Sequence, residues 1–513
     1  MHLTLGLHRA VRHQPASIAT FYEGRTQTFG QLGNRVARFA GALRAMGVKT
    51  GDRVAILSLN SDRYIECYLA VWWAGAVINP VNTRWSAHEV AYSLDDSEST
   101  VLLVDKAHQP AIQALRERAK SLKHFIYLDD DEVPADTLSY EALIAGAEPI
   151  DDQYRHGDDL AGIFYTGGTT GFPKGVMLSH TNIGVPSLTL LGQEYGVGSA
   201  VLHTAPMFHI APLLLMVAQL LNGGGQSVLP GFDPARVLSY IEDRQSTDVM
   251  LVPSMIRVLL EHENVKATNF KSLNRIWYGG AAITESIQRQ ALEVFHPAGL
   301  MQLYGLTEIP VVALMPPRYH DPSLGKLRST GRAATENEIR IVDQDGEELP
   351  RGAIGEIVAR GPNVMRGYWN KPEATEATIR NGWLQTGDAG YMDDEGFVFV
   401  ADRFKDMIVT GGENVYAAEV ENAVATHPAV AGCAVIGIPS EEWGEAVHLV
   451  VILKPDEEKF TLDEIRRYCK DLIAGYKCPR SIEYMESLPL SAFSKVDKNV
   501  LRAPYWKDRT RKV

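Results

Sequence analysis

The stretch Tyr165–Gly175 reads YTGGTTGFPKG and directly follows an apolar pair. Glycines let the backbone turn its N–H groups toward one point, threonine hydroxyls add donors, and Lys174 adds a positive charge, so the loop suits a phosphate. A Walker loop ends in Gly-Lys-Ser/Thr ahead of a helix, whereas Lys174 stands between Pro173 and Gly175 and no Ser or Thr follows. We therefore predict a phosphate-directed loop that is not a Walker loop. On this stretch alone, a surface turn is the alternative.

The composition narrows the class of protein. The chain has 513 residues, four cysteines and a formal net charge of −13, and at about 100–200 residues per domain it should hold roughly three domains or subdomains. The acidic balance argues against a nucleic-acid partner. Because no cysteines form a CxxC pair, we expect a reducing cytoplasm and no metal-site signal. We find no signal peptide and no apolar run of about 18–20 residues, so we expect no membrane span, while peripheral membrane contact stays open.

Residues 1–400 alternate β-rich runs with helical patterns, which predicts an α/β fold of doubly wound, mostly parallel sheets with helices on both faces. The predicted strands are Arg53–Leu57, Val101–Val104, Phe125–Leu128, Ser227–Leu229 and Val249–Val252. The predicted helices are Gln27–Met46, Ala111–Leu122, Pro234–Arg244 and Thr284–Val294.

From about residue 325 the sequence pattern changes from alternating strands and helices to short β-rich runs. Glu338–Val342, a turn at Asp345-Gly346 and Ile354–Arg360 predict a β-hairpin, and further short strands follow through Phe397–Val400. We interpret 325–401 as a small, β-rich, barrel-like subdomain. A polar run at 402–406 precedes a compact α+β pattern, whose predicted elements are Ala417–His427, Cys433–Gly437, Ala446–Leu453, Leu462–Ile473 and Ile482–Tyr484.

Several sparse motifs follow the glycine- and threonine-rich loop in a fixed order. They are Tyr278-Gly279-Gly280-Ala281-Ala282, Tyr304-Gly305-Leu306-Thr307-Glu308, Gly382-Trp383-Leu384-Gln385-Thr386-Gly387-Asp388, Asp402-Arg403, Gly411-Gly412-Glu413-Asn414 and Lys495. In this order and spacing they resemble the adenylate-forming superfamily, which includes acyl-CoA synthetases, aryl-CoA ligases, firefly luciferase and peptide-synthetase adenylation domains. The resemblance runs to about residue 502 and is closest to fatty-acyl or 4-coumarate-type CoA ligases.

The resemblance implies a fold and a reaction. The fold would be an N-terminal domain over 1–401, a hinge over 402–405 centred on Lys405, and a C-terminal lid over 406–513. The reaction would use ATP, Mg²⁺ and coenzyme A. It would activate a carboxylic acid as acyl-AMP with pyrophosphate release, then transfer the acyl group to the CoA thiol.

The resemblance also assigns a nucleotide site. Its members would be Thr166, Gly167, Gly168, Thr169, Thr170, Gly171, Lys174, Gly279, Gly280, Ala281, Tyr304, Gly305, Thr307, Asp388 and Arg403. The loop would wrap the β- and γ-phosphates, Tyr304 would stack on adenine, and Asp388, supported by Arg403, would accept the ribose hydroxyls. Without the flanking motifs, Tyr304 would be ordinary core packing and Asp388 a turn residue.

The catalytic residues implied by the resemblance are Lys495, Thr307, Glu308 and His209. Glu308 would hold Mg²⁺, which takes oxygen ligands, and Thr307 would bond the α-phosphate. Lys495 would bridge the acid carboxylate and the α-phosphate, and Lys498 is the rival for that role. The chain departs from the family pattern at Gly167, Ser494 and Ala417, where serine, glycine and proline are usual.

The resemblance assigns one set of residues to the path of CoA in the second half-reaction and another set to the pocket for the acid. The pantetheine arm of CoA would pass Gly411, Gly412 and Asn414. The acyl pocket would be formed by His209, Ala211, Leu215, Ala281, Gly305 and Pro310. No acidic side chain, lysine or arginine is in this set, so we expect a hydrophobic acid. The pattern does not separate a fatty chain from an aryl-propenoate.

Three rival functions are weighed against a CoA ligase. A carrier-protein-loading adenylation enzyme shares the first half-reaction, a luciferase shares the fold, and an inactive binding protein could keep the fold alone. The retained Thr307, Glu308, Asp388, Arg403 and Lys495 argue against the inactive protein. The sequence allows a homodimer.

Overall fold

The computed structural model describes residues 1–166, 173–193, 199–403, 406–410, 413–490 and 496–507. The α-helices of its first half are α1 Leu5–His13, α2 Phe29–Ala45, α3 Asp62–Trp73, α4 Ala87–Asp96, α5 Ile112–Arg118, α6 Tyr140–Gly146, α7 His180–Leu191 and α8 Ile210–Asn222. Those of its second half are α9 Pro234–Asp243, α10 Pro253–Glu261, α11 Glu285–Val294, α12 Pro372–Thr378, α13 Ala417–Ala425, α14 Leu462–Lys470 and α15 Lys498–Arg502. Short 3-10 helices span Lys106–Ala111, Pro317–Tyr319, Pro322–Leu324 and Gly475–Lys477.

The strands are numbered in chain order. Up to residue 228 they are β1 Ile18–Tyr22, β2 Arg25–Thr28, β3 Arg53–Leu57, β4 Val77–Pro80, β5 Ser99–Val104, β6 His124–Tyr127, β7 Leu138–Ser139, β8 Leu160–Thr166, β9 Lys174–Ser179, β10 Ala200–His203 and β11 Gly225–Val228. Up to residue 368 they are β12 Asp248–Leu251, β13 Arg275–Gly279, β14 Gly299–Leu306, β15 Ile309–Met315, β16 Arg332–Ala333, β17 Glu338–Val342, β18 Gly355–Arg360 and β19 Gly367–Tyr368. The remaining strands are β20 Ile379–Arg380, β21 Trp383–Met392, β22 Val398–Arg403, β23 Ile408–Thr410, β24 Glu413–Val415, β25 Val430–Ser440, β26 Gly444–Leu453 and β27 Ser481–Tyr484.

Two large sheets form the body of the chain. One has nine strands in the order β16-β15-β14-β13-β12-β10-β11-β1-β2, and the other has eight in the order β19-β9-β8-β4-β3-β5-β6-β7. Neighbours are parallel in the middle of each sheet and antiparallel at one or both ends. The predicted α/β class with mostly parallel sheets is therefore confirmed.

The β-rich part contributes a third sheet. Strands β17, β18, β21, β20 and β22 form an antiparallel five-stranded sheet. Two short strands from the same part of the chain join the large sheets instead, because β16 pairs with β15 and β19 pairs with β9. These two pairings tie the β-rich part to β9, which begins with Lys174, and to β15, the neighbour of the strand β14 that carries Tyr304 and Gly305.

The C-terminal part is a separate five-stranded sheet of β24, β23, β26, β25 and β27. Its own hydrophobic cluster includes Val420 of α13, Val435 of β25 and Ile465 of α14, all fully buried. Helix α14 begins with a capping box between Thr461 and Glu464. This is the small α+β unit predicted from the sequence, whereas the boundaries at 401 and 405 stay predictions.

Individual elements agree closely with the sequence patterns. The predicted strands Arg53–Leu57 and Glu338–Val342 match β3 and β17 residue for residue. The other predicted elements are present with shifted ends. The largest shift affects the predicted helix Ala111–Leu122, of which Ile112–Arg118 is α-helical after a 3-10 turn. No helix within the described ranges is long and apolar enough to span a bilayer.

Candidate active site

Three predicted segments lie at the carboxyl ends of neighbouring parallel strands. In the nine-stranded sheet β10, β12, β13 and β14 are successive parallel neighbours. His209 follows β10 and starts α8, Gly279 ends β13, and Tyr304 lies near the end of β14. Ligands of open α/β sheets bind at this edge, so the fold itself gathers residues that are about 100 positions apart.

Glycine is required at the end of β13. A Cβ at Gly279 would lie 2.3 Å from the carbonyl oxygen of Leu303 on the adjacent strand, so no side chain fits there. Gly280 has a φ of +78°, a conformation that favours glycine. Gly280 and Ala281 are exposed. An open backbone edge thus follows β13, at residues predicted to belong to the nucleotide site.

A tight hairpin presents Thr307 and Glu308. These two residues form the turn between β14 and β15, where Leu306 pairs with Ile309. The hairpin bends at Gly305, whose Cβ would lie 2.3 Å from the carbonyl oxygen of Pro310. The Glu308 carbonyl accepts a hydrogen bond of 2.8 Å from the backbone N–H of Met365, which fixes the tip.

Tyr304 and Asp388 meet across two sheets. The Tyr304 hydroxyl donates to Asp388 Oδ2 at 2.7 Å, and Asp388 is only 3 % exposed. A bulge in β21 aims the carboxylate. Gly387 has a φ of +71°, and the Thr386 hydroxyl donates to the Ile357 carbonyl at 2.6 Å and accepts from the Asp388 N–H at 3.1 Å. The predicted adenine platform and ribose acceptor are therefore one hydrogen-bonded unit.

Tyr368 connects the glutamate to the lysine of the phosphate-directed loop. Its hydroxyl donates to Glu308 Oε1 at 2.8 Å, and the Lys174 Nζ lies 4.9 Å from the centre of its ring. The pairing of β19 with β9 holds Tyr368 beside Val176. Burial raises the pKa of Tyr368, and the nearby Glu308 carboxylate adds to that rise. The phenol therefore stays protonated and acts as a donor at neutral pH.

The Glu308 carboxylate fits a magnesium ion. Mg²⁺ prefers oxygen ligands and retains several waters, and this half-buried carboxylate is fixed at Oε1 by Tyr368. Within the described ranges no hydrogen bond or ion pair engages Oε2 of Glu308. A carboxylate held at one oxygen can bind a hydrated cation through the other.

Two of the residues predicted for the acid, Leu215 and Ala211, belong to one apolar cluster or pack on it. Leu215 of α8 is 1 % exposed within that cluster, and the half-buried Ala211 packs on it. Pro310 is buried in β15. The half-buried His209 ring lies 4.2 Å from the Phe208 ring, centre to centre. Ala211 and Leu215 lie on α8 and Pro310 lies on β15, and none of these three side chains carries a charge.

Several predicted residues lie outside the described part. They are Gly167, Gly168, Thr169, Thr170, Gly171, Lys405, Gly411, Gly412 and Lys495. Thr166 ends β8 opposite Lys174 at the start of β9, so the two described ends of the loop are paired. Arg403 lies opposite Asp388 in the β21–β22 pair, and Asn414 lies on β24. The side chains of Arg403 and Asn414 are outside the description.

The rival lysine has a structural partner. Lys498 Nζ forms an ion pair of 2.8 Å with Glu421 of α13, and both side chains are largely buried, at 15 % and 24 % exposed. The Glu421 carboxylate also accepts from the backbone N–H of Val435 at 2.7 Å. Leu490 and Val496 flank the segment that contains Lys495, and they form an isolated antiparallel β-bridge with each other. Lys498 therefore anchors α15 within the C-terminal unit.

Tyr368 and Thr386 contact predicted site residues but are not predicted from the sequence. Tyr368 follows Gly367, which has a φ of +128° and whose Cβ would lie 2.8 Å from the Thr375 side chain. A Gly-Tyr pair ahead of a proline-initiated helix is a visible pattern, but its contact with Glu308 depends on tertiary structure. Thr386 sits inside a recognised motif, and its role in shaping the bulge is invisible without strand pairing.

The fold, with Tyr304 and Glu308 at the end of β14 and Asp388 of β21 hydrogen-bonded to Tyr304, is that of an adenylate-forming enzyme. A family model described as AMP-binding enzyme matches residues 7–369, and one described as AMP-binding enzyme C-terminal domain matches residues 419–495. The chain belongs to this AMP-binding enzyme family. It is an AMP-forming acid–thiol ligase, as the resemblance implied.

Known relatives cover nearly the whole chain. A feruloyl-CoA synthase of Amycolatopsis sp is 36 % identical over 496 residues, 96 % of this chain and 97 % of the relative. The fatty acid–[acyl-carrier-protein] ligase ScoC of Streptomyces coeruleorubidus is 34 % identical over 98 % of this chain and 96 % of its own. The solved structure of the amide bond synthetase McbA from Marinactinospora thermotolerans superposes with a TM-score of 0.89 at 29 % identity, covering 98 % of this chain and 100 % of McbA.

Proposed function

We propose that this protein is an ATP-dependent acyl-CoA synthetase for a hydrophobic carboxylic acid. It activates a medium- or long-chain fatty acid or an aryl-propenoic acid as acyl-AMP, releases pyrophosphate, and transfers the acyl group to the CoA thiol. The observation that carries the proposal is the connected set of contacts from Lys174 through Tyr368 to Glu308, beside the Tyr304–Asp388 pair.

The first half-reaction joins two negatively charged groups, and the site is suited to offset their repulsion. A carboxylate must approach the α-phosphate in line, which requires fixed positions and positive charge. Lys174 and the backbone of 167–171 would take the β- and γ-phosphates, and Thr307 the α-phosphate. Asp388 would accept the ribose hydroxyls, with Arg403 in support. Lys495 would bridge the carboxylate and α-phosphate oxygens.

Magnesium would be held by Glu308, where it would neutralise phosphate charge during the displacement. Tyr368 would keep the carboxylate turned toward the ion. Through the same ring it would keep the Lys174 ammonium nearby. The Glu308 carboxylate and the Lys174 ammonium would thus both contact Tyr368. This common contact would hold both groups in position after the nucleotide is released.

The second half-reaction would need a different pose of the C-terminal unit. We infer a hinge at 402–405 around Lys405 that rotates Lys495 away and brings Gly411, Gly412 and Asn414 to the pantetheine path. Domain rotations of this kind often set turnover. We further place the N-terminal domain at 1–401, with its β-rich subdomain at about 325–401, and the lid at 406–513. A cytoplasmic location stays a prediction from the cysteine pattern.

The hydrophobic acid is supported by the apolar lining and by two relatives. Leu215, Ala211 and Pro310 present no charge, and the feruloyl-CoA synthase and ScoC act, by their names, on ferulate and on fatty acids. Each additional buried methylene contributes about 0.8 kcal/mol. An acid with several more methylenes than acetate should therefore be preferred by tenfold or more.

A carrier-protein-loading ligase is the second candidate, favoured by the similarity to ScoC. Pyrophosphate release should first be screened over fatty, aryl-propenoic, short-chain and dicarboxylic acids with ATP and Mg²⁺. The best acid is then offered with CoA, with a free-standing acyl carrier protein, or with an amine. Thioester formation with CoA supports the proposal. Product only on the carrier protein selects the alternative, and a preferred acid with a second charge at its far end overturns the apolar pocket.

A further inference from the structure

A cluster of histidine and aspartate side chains lies at the start of the chain, apart from the residues assigned to ATP. His2 and His8 come from the N-terminal segment and α1, and Asp152 comes from the segment before β8. One ligand atom from each lies within 4.8 Å of the others. The sequence gives no signal for this cluster, because its residues become neighbours only through a contact between positions about 144 residues apart.

The carboxylate at the centre is held rigidly. Asp152 is buried, with its side chain 1 % exposed, and its Oδ2 accepts from His8 Nε2 at 2.8 Å. The Thr4 hydroxyl donates to the same oxygen at 2.5 Å, and the Tyr154 N–H donates to Oδ1 at 2.8 Å. Donors on both oxygens fix the plane of the carboxylate, as outer partners do for metal-bound carboxylates.

Aromatic contacts fix the two imidazoles. The His8 ring is stacked on Trp73 at 4.5 Å and on Tyr154 at 5.4 Å, with interplanar angles of 22° and 15°. The edge of His2 meets His8 at 5.7 Å and Tyr154 at 5.4 Å. His8 keeps 27 % of its side chain exposed, so an ion can reach the cluster from solvent.

We propose that His2, His8 and Asp152 form a binding site for a divalent transition metal ion, best matched by Zn²⁺. Two imidazole nitrogens and one carboxylate oxygen form a donor set that zinc accepts, with water as the fourth ligand. Bond lengths of about 2.0–2.1 Å place tetrahedral ligand atoms about 3.3 Å apart. The His8–Asp152 pair at 2.8 Å would therefore have to open by only about half an ångström.

The ion takes the place of a hydrogen bond. Zinc would bind between His8 Nε2 and Asp152 Oδ2, and the neutral imidazole would carry its one proton on Nδ1 instead of Nε2.

The expected consequence is a firmer attachment of α1. Leu7 and Ala10 of α1 are buried, and a Cβ at Gly6 would lie 2.5 Å from the Leu220 backbone of α8. Helix α8 also carries Leu215 of the proposed acyl pocket. A metal that ties His2 and His8 to Asp152 stabilises the outer helix packed on α8, and it takes no part in acyl transfer.

The test uses the full-length, untagged protein after treatment with a chelator. Calorimetric titration with ZnCl₂ should give one site, and thermal unfolding should shift upward with zinc. His2→Gln should weaken zinc binding at least tenfold while leaving the Asp152 bonds to Thr4 and His8 intact. Asp152→Asn should weaken binding further. His13→Gln, an exposed histidine of the same helix, is the matched control and should bind zinc as the unchanged protein does.

One further measurement separates this site from other zinc binding. The Co²⁺-loaded protein should lack thiolate charge-transfer absorption, because no cysteine belongs to the cluster. The proposal fails if the unchanged protein binds no zinc, if His13→Gln and His2→Gln weaken binding alike, or if thiolate absorption accompanies the site.

Discussion

Tyr368 and Glu308 are joined by a hydrogen bond of 2.8 Å from the phenol to Oε1 of the carboxylate. The two residues are 60 positions apart in the chain. They meet because the backbone N–H of Met365 bonds the Glu308 carbonyl while β19 pairs with β9. The same tyrosine ring lies under Lys174. One side chain therefore contacts the Glu308 carboxylate and the Lys174 ammonium, two groups predicted to lie around the triphosphate.

Tyr368→Phe removes the hydroxyl and keeps the ring. We expect weaker binding of magnesium–ATP and a loss of about tenfold or more in pyrophosphate release, because hydrogen bonds to charged groups contribute about 1.5–3 kcal/mol. The Mg²⁺ concentration needed for half-maximal rate should rise. Calorimetric binding of magnesium–ATP gives a reading that is independent of turnover.

Tyr368→Leu is the matched comparison, because it also removes the ring beneath Lys174. A cation over an aromatic ring contributes about 0.5–2 kcal/mol, so this variant should bind the nucleotide more weakly than Tyr368→Phe. If Tyr368→Phe keeps the Mg²⁺ dependence of the unchanged enzyme, the hydroxyl does not position Glu308.

Asp388→Ala and Glu308→Ala should each abolish ATP-dependent pyrophosphate release. The first removes the ribose acceptor and the second the magnesium ligand. Tyr304→Phe is a milder change, since it takes one donor from Asp388 and leaves an aromatic platform for adenine. We expect it to raise the KM for ATP more than it lowers kcat. Near-normal release by Asp388→Ala or Glu308→Ala would show that the nucleotide site lies elsewhere.

The sequence predicts the strands well where one physical signal dominates. Arg53–Leu57 is an apolar run bounded by turns, and its ends match β3. Spaced motifs predict Tyr304, Glu308 and Asp388 as site residues, but they do not predict the hydrogen bond between Tyr304 and Asp388. The contacts of Tyr368 with Glu308 and Lys174 are not predicted, because they depend on β19. This two-residue strand lies in a part of the chain whose other strands mostly form a different sheet. Such pairings are set by tertiary packing, and no local propensity predicts them.

The His2–His8–Asp152 cluster shows the same limit. Metal motifs in a sequence are recognised by short spacing, whereas this cluster combines residues from both ends of a long segment. The aromatic rings that orient it come from α3 and from the loop at 154. The local sequence pattern and its periodicity indicate the helix α1, but they do not show which side chains the histidines of that helix contact.

Buried neutral histidines should make the protein less stable in mild acid. Burial lowers the pKa of His203 to about 4, below its ordinary value of 6.5. Its Nε2 donates to Gln226 at 2.8 Å and its Nδ1 is buried without a hydrogen-bond partner. Below pH 6.5 the His203 imidazole takes up a proton in the unfolded chain but stays neutral in the folded chain. Stability therefore falls from about pH 6.5 toward 4, by about 1.4 kcal/mol per pH unit for each such group.

His180 and His320 have pKa values lowered to about 4 as well, mainly by burial. The comparison is thermal unfolding of the unchanged protein and of His203→Gln between pH 7.5 and 4.5. The variant should lose less stability per pH unit, since one of the three groups is gone. Parallel curves would mean that His203 takes up its proton in the folded state.

The last prediction separates the two half-reactions and the two candidate lysines. Lys495→Ala should slow pyrophosphate release by about 10²–10³-fold, because it removes a preorganised cation from the reacting atoms. Supplied with synthetic acyl-adenylate and CoA, the same variant should still form thioester. Gly412→Leu should do the reverse, making adenylate and then stalling with the pantetheine path filled. Lys405→Pro, by stiffening the hinge, should also stall after adenylation.

Lys498 should behave as a structural residue, because its ammonium is already paired with Glu421 at 2.8 Å in a largely buried position. Removing one partner of such a pair leaves an uncompensated charge, which is strongly destabilising. Lys498→Ala and Glu421→Gln should therefore lower the unfolding temperature and depress both half-reactions to a similar extent. A catalytic lysine gives the opposite pattern, with stability kept and adenylation alone lost. If Lys498→Ala shows that pattern while Lys495→Ala damages both steps equally, the adenylating lysine is three residues later than we place it, and the Glu421 contact belongs to a resting pose.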